Sequence, residues 1–217
     1  MPQLNGCKTE DGKLRIRLKN EPERSKRVIL KVGVLSLQGA VEEHLRMIEG
    51  CDFEGIKVKT IEDLEKVDRL IIPGGESTAI GKLAKIYGLD REIVKKGREG
   101  MPIFGTCAGM ILLANKVVGN KQLRFNLIDI VVERNAFGRQ VDSFEVELKI
   151  KDFNGEPFKA VFIRAPYIKE AGKEVKVLAE FKGKIVMARQ KNILVSSFHP
   201  ELTEDLRVHK YFLSDHY

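Results

Sequence analysis

Only three cysteines stand in 217 residues, Cys7, Cys51 and Cys107, and no two of them form a C-x-x-C pair. An odd count without paired spacing argues against a disulfide framework and against a zinc knuckle. No apolar run approaches the ~20 residues of a membrane-spanning helix. The first 27 residues are polar and charged, with no apolar h-region, so a secretory leader is not expected. These absences make the cytoplasm the expected location. Aromatic residues make up 7% of the chain and are not interleaved with basic ones into a stripe. The net charge of +7 comes from 38 lysines and arginines scattered among 31 acids. That is the pattern of a solvated, salt-bridged surface, and it argues against a nucleic-acid-binding face. Internal repeats and low-complexity tracts are also missing.

The length suits one large domain or two small ones and is enough for a sizeable core. Residues 1–27 stand apart as an N-terminal extension with no assignable role, with one alternating stretch at 14–18 that suits a short strand. A single domain is expected over 28–217. Its first half alternates. Apolar or alternating runs at 28–37, 56–60, 69–72 and 103–105 read as strands, and 40–50, 61–67, 78–87, 91–97 and 108–118 as helical. This order predicts an α/β fold with a mostly parallel sheet covered on both faces. The second half is richer in strands, at 127–133, 144–150, 160–163, 175–181, 184–190 and 193–197, with a hairpin turn at Lys182-Gly183. Residues 206–213 close the chain as a helix.

The chemistry centres on Cys107, in the run Gly105-Thr106-Cys107-Ala108-Gly109 between a short apolar strand and an apolar helix. This is the G-x-C-x-G form of a nucleophile elbow. It places a sulfur at a helix N-terminus, where the dipole and unpaired amides favour a thiolate. A base is available in His199, at the end of the strand 193–197, with Pro200 holding it extended. Residues two apart in extended chain point the same way, so Glu201 should orient the imidazole and leave its other nitrogen for the sulfur. An anion pocket could draw on the amide of Ala108 and on the glycine turn at Gly74-Gly75, ahead of Glu76-Ser77.

Each part also has a structural reading. A cysteine before an apolar helix can be a small core residue, and a strand-end histidine can simply pack. The Pro-Gly-Gly-Glu-Ser run can be a turn followed by a helix capped by Ser77. It is not a phosphate loop, since Gly75 and Gly81-Lys82 are one residue too far apart and Leu83 stands where a hydroxyl would hold magnesium. His44, His209 and His216 read as solvated or packing residues, and Cys7 and Cys51 as inert. Nothing calls for a metal, nucleotide or flavin cofactor.

Taken together, the elbow, the His-Pro-Glu run and the glycine turn resemble class I glutamine amidotransferases. The stretches LSLQGAVEEH, PGGESTAI, FGTCAGM, ERNAFGRQVDSFE, FIRAP and SFHPELTEDLRVHKYF are similar to one subfamily, the glutaminase subunits of pyridoxal 5′-phosphate synthase. The resemblance covers about residues 30–212 and implies a flavodoxin-like three-layer sandwich, with antiparallel strands added in the C-terminal half. It implies Cys107 as nucleophile, His199 as base and acid, Glu201 as its orienter, and Gly75 and Ala108 as oxyanion amides. Gly75, Glu76, Ser77, Arg134, Ile163 and Arg164 would border the glutamine. The bare residues leave both arginines as surface salt-bridge formers.

The implied reaction is hydrolysis of L-glutamine through a γ-glutamyl thioester, with ammonia passed to a synthase subunit that makes pyridoxal 5′-phosphate (vitamin B6). Members of such a family are poor glutaminases alone and become active on the synthase. A Gly74-Gly75 peptide turned the wrong way until docking would explain that behaviour. Two rivals stay open. One is a glutaminase of another class I amidotransferase, although Ile111 stands where the anthranilate type carries Gln. The other is a non-enzymatic binding protein of the DJ-1 kind.

Overall fold

The computed structural model describes residues 30–119, 122–134 and 143–214. The strand expected at 14–18, the extension 1–27, Cys7, His216 and the middle of the ERNAFGRQVDSFE stretch lie outside the described residues. The first half runs β1 (Lys31–Leu35), α1 (Val41–Gly50), β2 (Glu54–Val58), α2 (Ile61–Glu65), β3 (Arg69–Ile72), α3 (Ser77–Ile86), α4 (Leu89–Arg98) and β4 (Ile103–Thr106). It continues through α5 (Ala108–Leu113), β5 (Ala114–Val117), β6 (Ile128–Glu133), β7 (Ser143–Leu148), β8 (Phe158–Ile163) and β9 (Tyr167–Ala171). The chain ends with β10 (Lys176–Phe181), β11 (Lys184–Gln190), β12 (Ile193–Ser196), a 3₁₀ turn at Pro200–Leu202 and α6 (Arg207–Leu213).

The main sheet has the order β2-β1-β3-β4-β12-β11-β9-β6-β5, with β10 paired to β11. The strands from β2 through β12 are mutually parallel. Beyond β12 the neighbours β11, β9 and β6 pair antiparallel, and β5 joins β6 in parallel. Strands β7 and β8 form a separate antiparallel pair. The architecture is the expected α/β sandwich. The Lys182-Gly183 hairpin also forms, with both residues at positive φ (49° and 72°) and Phe181 paired to Lys184, as a two-residue hairpin loop requires.

Both faces of the parallel strands are buried, so alternate residues feed two cores. Leu35, Leu70, Ile72 and Ile103 join one core with Ile80, Ala84 and Ile93 from α3 and α4. Val32, Val34, Ile71 and Phe104 join the other with Ile48 of α1 and Val208 and Phe212 of α6. Order reverses between β1 and β3, the switch point where open α/β sheets bind ligands at the carboxyl ends of their strands. The last parallel strand, β12, slots beside β4 in register Ser196↔Thr106. Residues 107 and 199 therefore leave the sheet at the same edge.

Several expectations need correction. Strand β2 starts and ends two residues early, at Glu54 and Val58. The helix expected over 108–118 stops at Leu113 and turns into β5. All six residues of α5 are buried, so the run carries no polar stripe to mark a helical period. The N–H groups of Phe125 and Leu127 take the Leu112 and Leu113 carbonyls at 2.7 and 3.0 Å, replacing the donors a longer helix would supply. Strand β9 was not expected, because Lys169 and Glu170 dilute its pattern and only Ile168 is buried. Finally, α3 is capped by Glu76 rather than Ser77: the Glu76 carboxylate accepts from Thr78 N and Ala79 N at 3.1 and 2.6 Å.

Candidate active site

Cys107 links β4 directly to α5 with φ 47° and ψ −96°, a conformation rare for a residue with a side chain. Its N–H donates to Ser196 O at 2.8 Å, and its carbonyl accepts from Ile111 N at 3.2 Å. The flanking glycines are there because strand and helix nearly touch. A Cβ on Gly105 would lie 2.6 Å from the Gly109 carbonyl carbon, and one on Gly109 would lie 2.2 Å from Ile72 O. The sharp turn itself falls on Cys107. Its sulfur lies 4.0 Å from Ile163 O and shares the cleft wall with His199, whose pKa it raises.

His199 is 7% exposed and held by its own N–H, which donates to Val161 O of β8 at 2.8 Å. Its Nδ1 lies 2.7 Å from Glu201 Oε1. The contact is the one expected, but extended chain does not make it. Glu201 sits in the 3₁₀ turn Pro200–Leu202, which curls the carboxylate back under the ring. Gly74 lies against the imidazole so closely that a Cβ there would be 2.3 Å from its Cε1. Burial works against a charge on His199, yet the hydrogen bonds and charges of Cys107 and Glu201 outweigh it and raise its pKa from 6.5 to about 10. Burial pushes the Glu201 carboxyl up, but nearby His44 and the hydrogen bond from His199 more than reverse this, and its pKa falls.

These groups open onto a cleft of about 380 Å³ lined by Gly74, Gly75, Glu76, Ser77, Cys107, Arg134, Ile163, Arg164 and His199, among others. Thus every residue expected to border the substrate lies on the cleft. Glu201 and Ala108 are not on its wall: Glu201 is behind His199, and Ala108, the first residue of α5, is 1% exposed. Gln38, Gly39 and Ala40, to which no role is assigned from sequence, also line it. Gln38 Oε1 accepts from Glu76 N at 2.7 Å, and Ala40 N donates to Gly74 O at 3.1 Å. Gly39, at φ 111°, comes so near that a Cβ would be 1.9 Å from Gly74 O. This loop fixes the orientation of the Gly74-Gly75 peptide. Its place at the carboxyl end of β1, beside the switch point, was the available signal. Ile111, Pro166 and Leu202 complete the unforeseen lining.

Ser77 Oγ pairs with the side chain of Gln122 at 3.3 Å. The Glu76 carboxyl is held below its usual range mainly by its hydrogen bond with Thr78, with Arg134 adding a smaller pull. Arg164 carries φ 41°, so the backbone is bent at the point where this side chain meets the cleft. His44 and His209 are fully buried packing residues; beyond what their pattern suggested, His44 Nε2 lies 3.5 Å from Glu201 Oε2. Among the described residues no cluster of three or more His, Cys, Asp or Glu side chains could hold a metal.

Such an arrangement suits acyl transfer: a sulfur, a base on the same cleft, a carboxylate fixing the base, and amides nearby. Comparison with known proteins bears on the substrate. Residues 34–216 match the model of the SNO glutamine amidotransferase family. A pyridoxal 5′-phosphate synthase subunit PdxT from Pelotomaculum thermopropionicum is 59% identical over 184 residues, 85% of this chain and 94% of the relative. A PdxT from Pseudothermotoga lettingae is 56% identical over 185 residues, covering 85% and 94%. A crystal structure of a glutamine amidotransferase superposes with TM-score 0.80 at 49% identity, covering 84% of this chain and 96% of the other. The PurLQS structure from Thermotoga maritima, at 17% identity and TM-score 0.63, covers 84% and 96% and shares the fold.

Proposed function

The chain belongs to the SNO glutamine amidotransferase family, and from that premise we propose that it is the glutaminase subunit of a pyridoxal 5′-phosphate synthase, with Cys107, His199 and Glu201 as its catalytic residues. The observation that carries the reading is a His199 imidazole held 2.7 Å from Glu201 and lining one cleft together with Cys107, whose sulfur acts on it.

The Cys107 thiolate attacks the side-chain amide carbon of glutamine, forming a C–S bond and a tetrahedral oxyanion. The amides of Gly75 and Ala108 stabilise that oxyanion; one such donor contributes about 3 kcal/mol to lowering the barrier. His199 gives its proton to the departing nitrogen, and ammonia leaves a γ-glutamyl thioester. The neutral imidazole then takes a proton from water, whose oxygen attacks the thioester and releases glutamate and the thiolate. Glu201 holds the tautomer through both halves. Arg134 and Arg164 offer planar forks for the glutamine carboxylate, and Ser77 and Ile163 bound the amino-acid side of the cleft.

Ammonia is useful only while unprotonated, so the cleft mouth is expected to be covered by the synthase subunit that consumes it. Leu202, 43% exposed on the cleft, is an apolar contact for that cover. Docking turns the Gly74-Gly75 peptide, breaking its bond to Ala40 N and completing the oxyanion site, so glutamine is not spent without an acceptor. Structures with and without the synthase that had the same peptide orientation would count against this gate. The domain runs over 28–217, which the family match to 34–216 supports, and the reaction is placed in the cytoplasm.

In the decisive experiment, ammonia release from glutamine is followed for the wild-type and Cys107→Ala chains, each mixed with the synthase subunit. Turnover is expected to vanish in the variant while the complex still forms on gel filtration. Turnover that survives the substitution removes Cys107 as nucleophile.

A further inference from the structure

We infer that His44 and His209 are positioning residues standing in series behind Glu201: His44 donates from Nε2 to the carboxylate oxygen that His199 does not use, and His209 fixes the tautomer that lets it do so. The inference rests on the proposed glutaminase reading only where activity is measured.

The two histidines come from opposite ends of the described chain, on α1 and α6, and neither is exposed to solvent. Their rings meet with His44 Nδ1 3.0 Å from His209 Nε2. On its other side, His44 Nε2 lies 3.2 Å from Thr106 Oγ1 and 3.5 Å from Glu201 Oε2. Phe104 packs edge-on against both rings, at 6.4 and 6.2 Å between centroids. Glu201 Oε2 is buried and finds no hydrogen-bond partner at ordinary geometry among the described residues, the 3.5 Å approach of His44 included. A buried carboxylate oxygen needs one.

Only one arrangement of protons satisfies this line. If His44 carried its proton on Nδ1, a bare Nε2 lone pair would face the Glu201 carboxylate, and His209 would bury an N–H at Nδ1, which has no partner. With the proton on Nε2, His44 donates toward Glu201 Oε2, sharing it with Thr106 Oγ1. His209 then donates from Nε2 to His44 Nδ1, leaving only a lone pair at its own Nδ1. An unpartnered buried acceptor costs less than an unpartnered buried donor. Burial lowers the pKa of both rings, that of His209 to about 3, so neither needs a counter-charge at neutral pH. The charged or titratable groups acting on His44 are Glu201, His199 and Glu43, besides His209 itself; those acting on His209 are His44 and Glu201.

The effect on Glu201 is that both oxygens accept, one from His199 Nδ1 and the other from His44 Nε2. The carboxylate can neither rotate away nor take up a proton cheaply, so the imidazole it faces keeps its tautomer.

The test has two arms. With the chain labelled with ¹⁵N at histidine, long-range ¹H–¹⁵N spectra between about pH 6 and 8 are expected to show His44 and His209 as neutral Nε2–H tautomers. A charged His44, or one protonated on Nδ1, overturns the proposal without reference to any activity. In the complex with the synthase, His44→Leu is expected to lower kcat for glutamine hydrolysis about tenfold or more at unchanged KM, and to move the basic limb of the pH–rate profile to lower pH. His44→Gln, whose amide nitrogen can take the place of Nε2, recovers most of the loss and restores the limb. Equal losses in both variants with the limb unmoved, or no loss in either, overturn the proposal. Should His44→Leu fail to fold, His209→Leu against His209→Gln makes the same comparison, and the wild-type spectra decide regardless. A wild-type complex that releases no ammonia would sink the glutaminase reading and leave the tautomers to judge this one.

Discussion

At the scale of single residues, burial sets the histidines to opposite tasks. His199 is charged because a sulfur and a carboxylate share it, whereas His209, walled in by apolar groups and another ring, stays neutral. The two respond to pH in opposite directions. His199 has a folded pKa near 10 against 6.5 unfolded, so its contribution to stability is complete below about 6.5 and is lost as pH rises toward 10. His209, with a folded pKa near 3, is protonated first in the unfolded chain. Stability therefore falls as pH drops from about 6.5 toward 3, by ~1.4 kcal/mol per pH unit for each such group. Urea denaturation across that acid range should give a shallower slope for His209→Leu than for wild type, by about that amount. An unchanged slope would mean the ring is already charged in the folded protein.

Among the elements, α3 matters for where its N-terminus points and what caps it. Glu76 spends its carboxylate on the amides of Thr78 and Ala79, and its own N–H goes to Gln38. The glycine turn before it is thus tied to α3 on one side and to the loop after β1 on the other. Glu76→Ala should cost about 1 kcal/mol and lower Tm by roughly 2–4 °C for a chain of this length, measured by calorimetry; an unchanged Tm would show the cap to be dispensable. The sequence carried the parallel strands and their helices plainly, because runs such as Leu70-Ile71-Ile72 are apolar at every position and break at Pro73-Gly74. It could not show where α5 stops, since the carbonyls of Leu112 and Leu113 are claimed by residues 125 and 127, which no local pattern announces. The same limit explains the cleft: Cys107, His199 and Glu201 are marked by turn chemistry within a few residues of themselves. Gln38 and Ala40 matter only because β1 ends beside β3, and His44 only because α6 folds back across α1.

The molecule as a whole is tied together by that return. Helix α6 buries Val208, Phe212 and Leu213 in the same core as Val32, Val34 and Ile48, and Arg69 Nη1 holds the Phe212 carbonyl at 3.1 Å. Phe212 also packs 5.5 Å from Phe104 between ring centroids. Phe212→Ala should therefore cost about 3–5 kcal/mol in urea denaturation, and loosening α6 should blunt glutamine hydrolysis although residue 212 is remote from the cleft. A loss below 1 kcal/mol would mean the helix is held by its other contacts.

Among the described strands, the one that precedes His199 comes last in the sequence, yet it lies in the middle of the sheet against β4. In a polypeptide growing on the ribosome Cys107 thus emerges well before the histidine that the folded sheet brings to the same edge. On the proposed reading, a chain lacking residues 193–201 would carry the cysteine without the imidazole and the carboxylate, and could not spend glutamine.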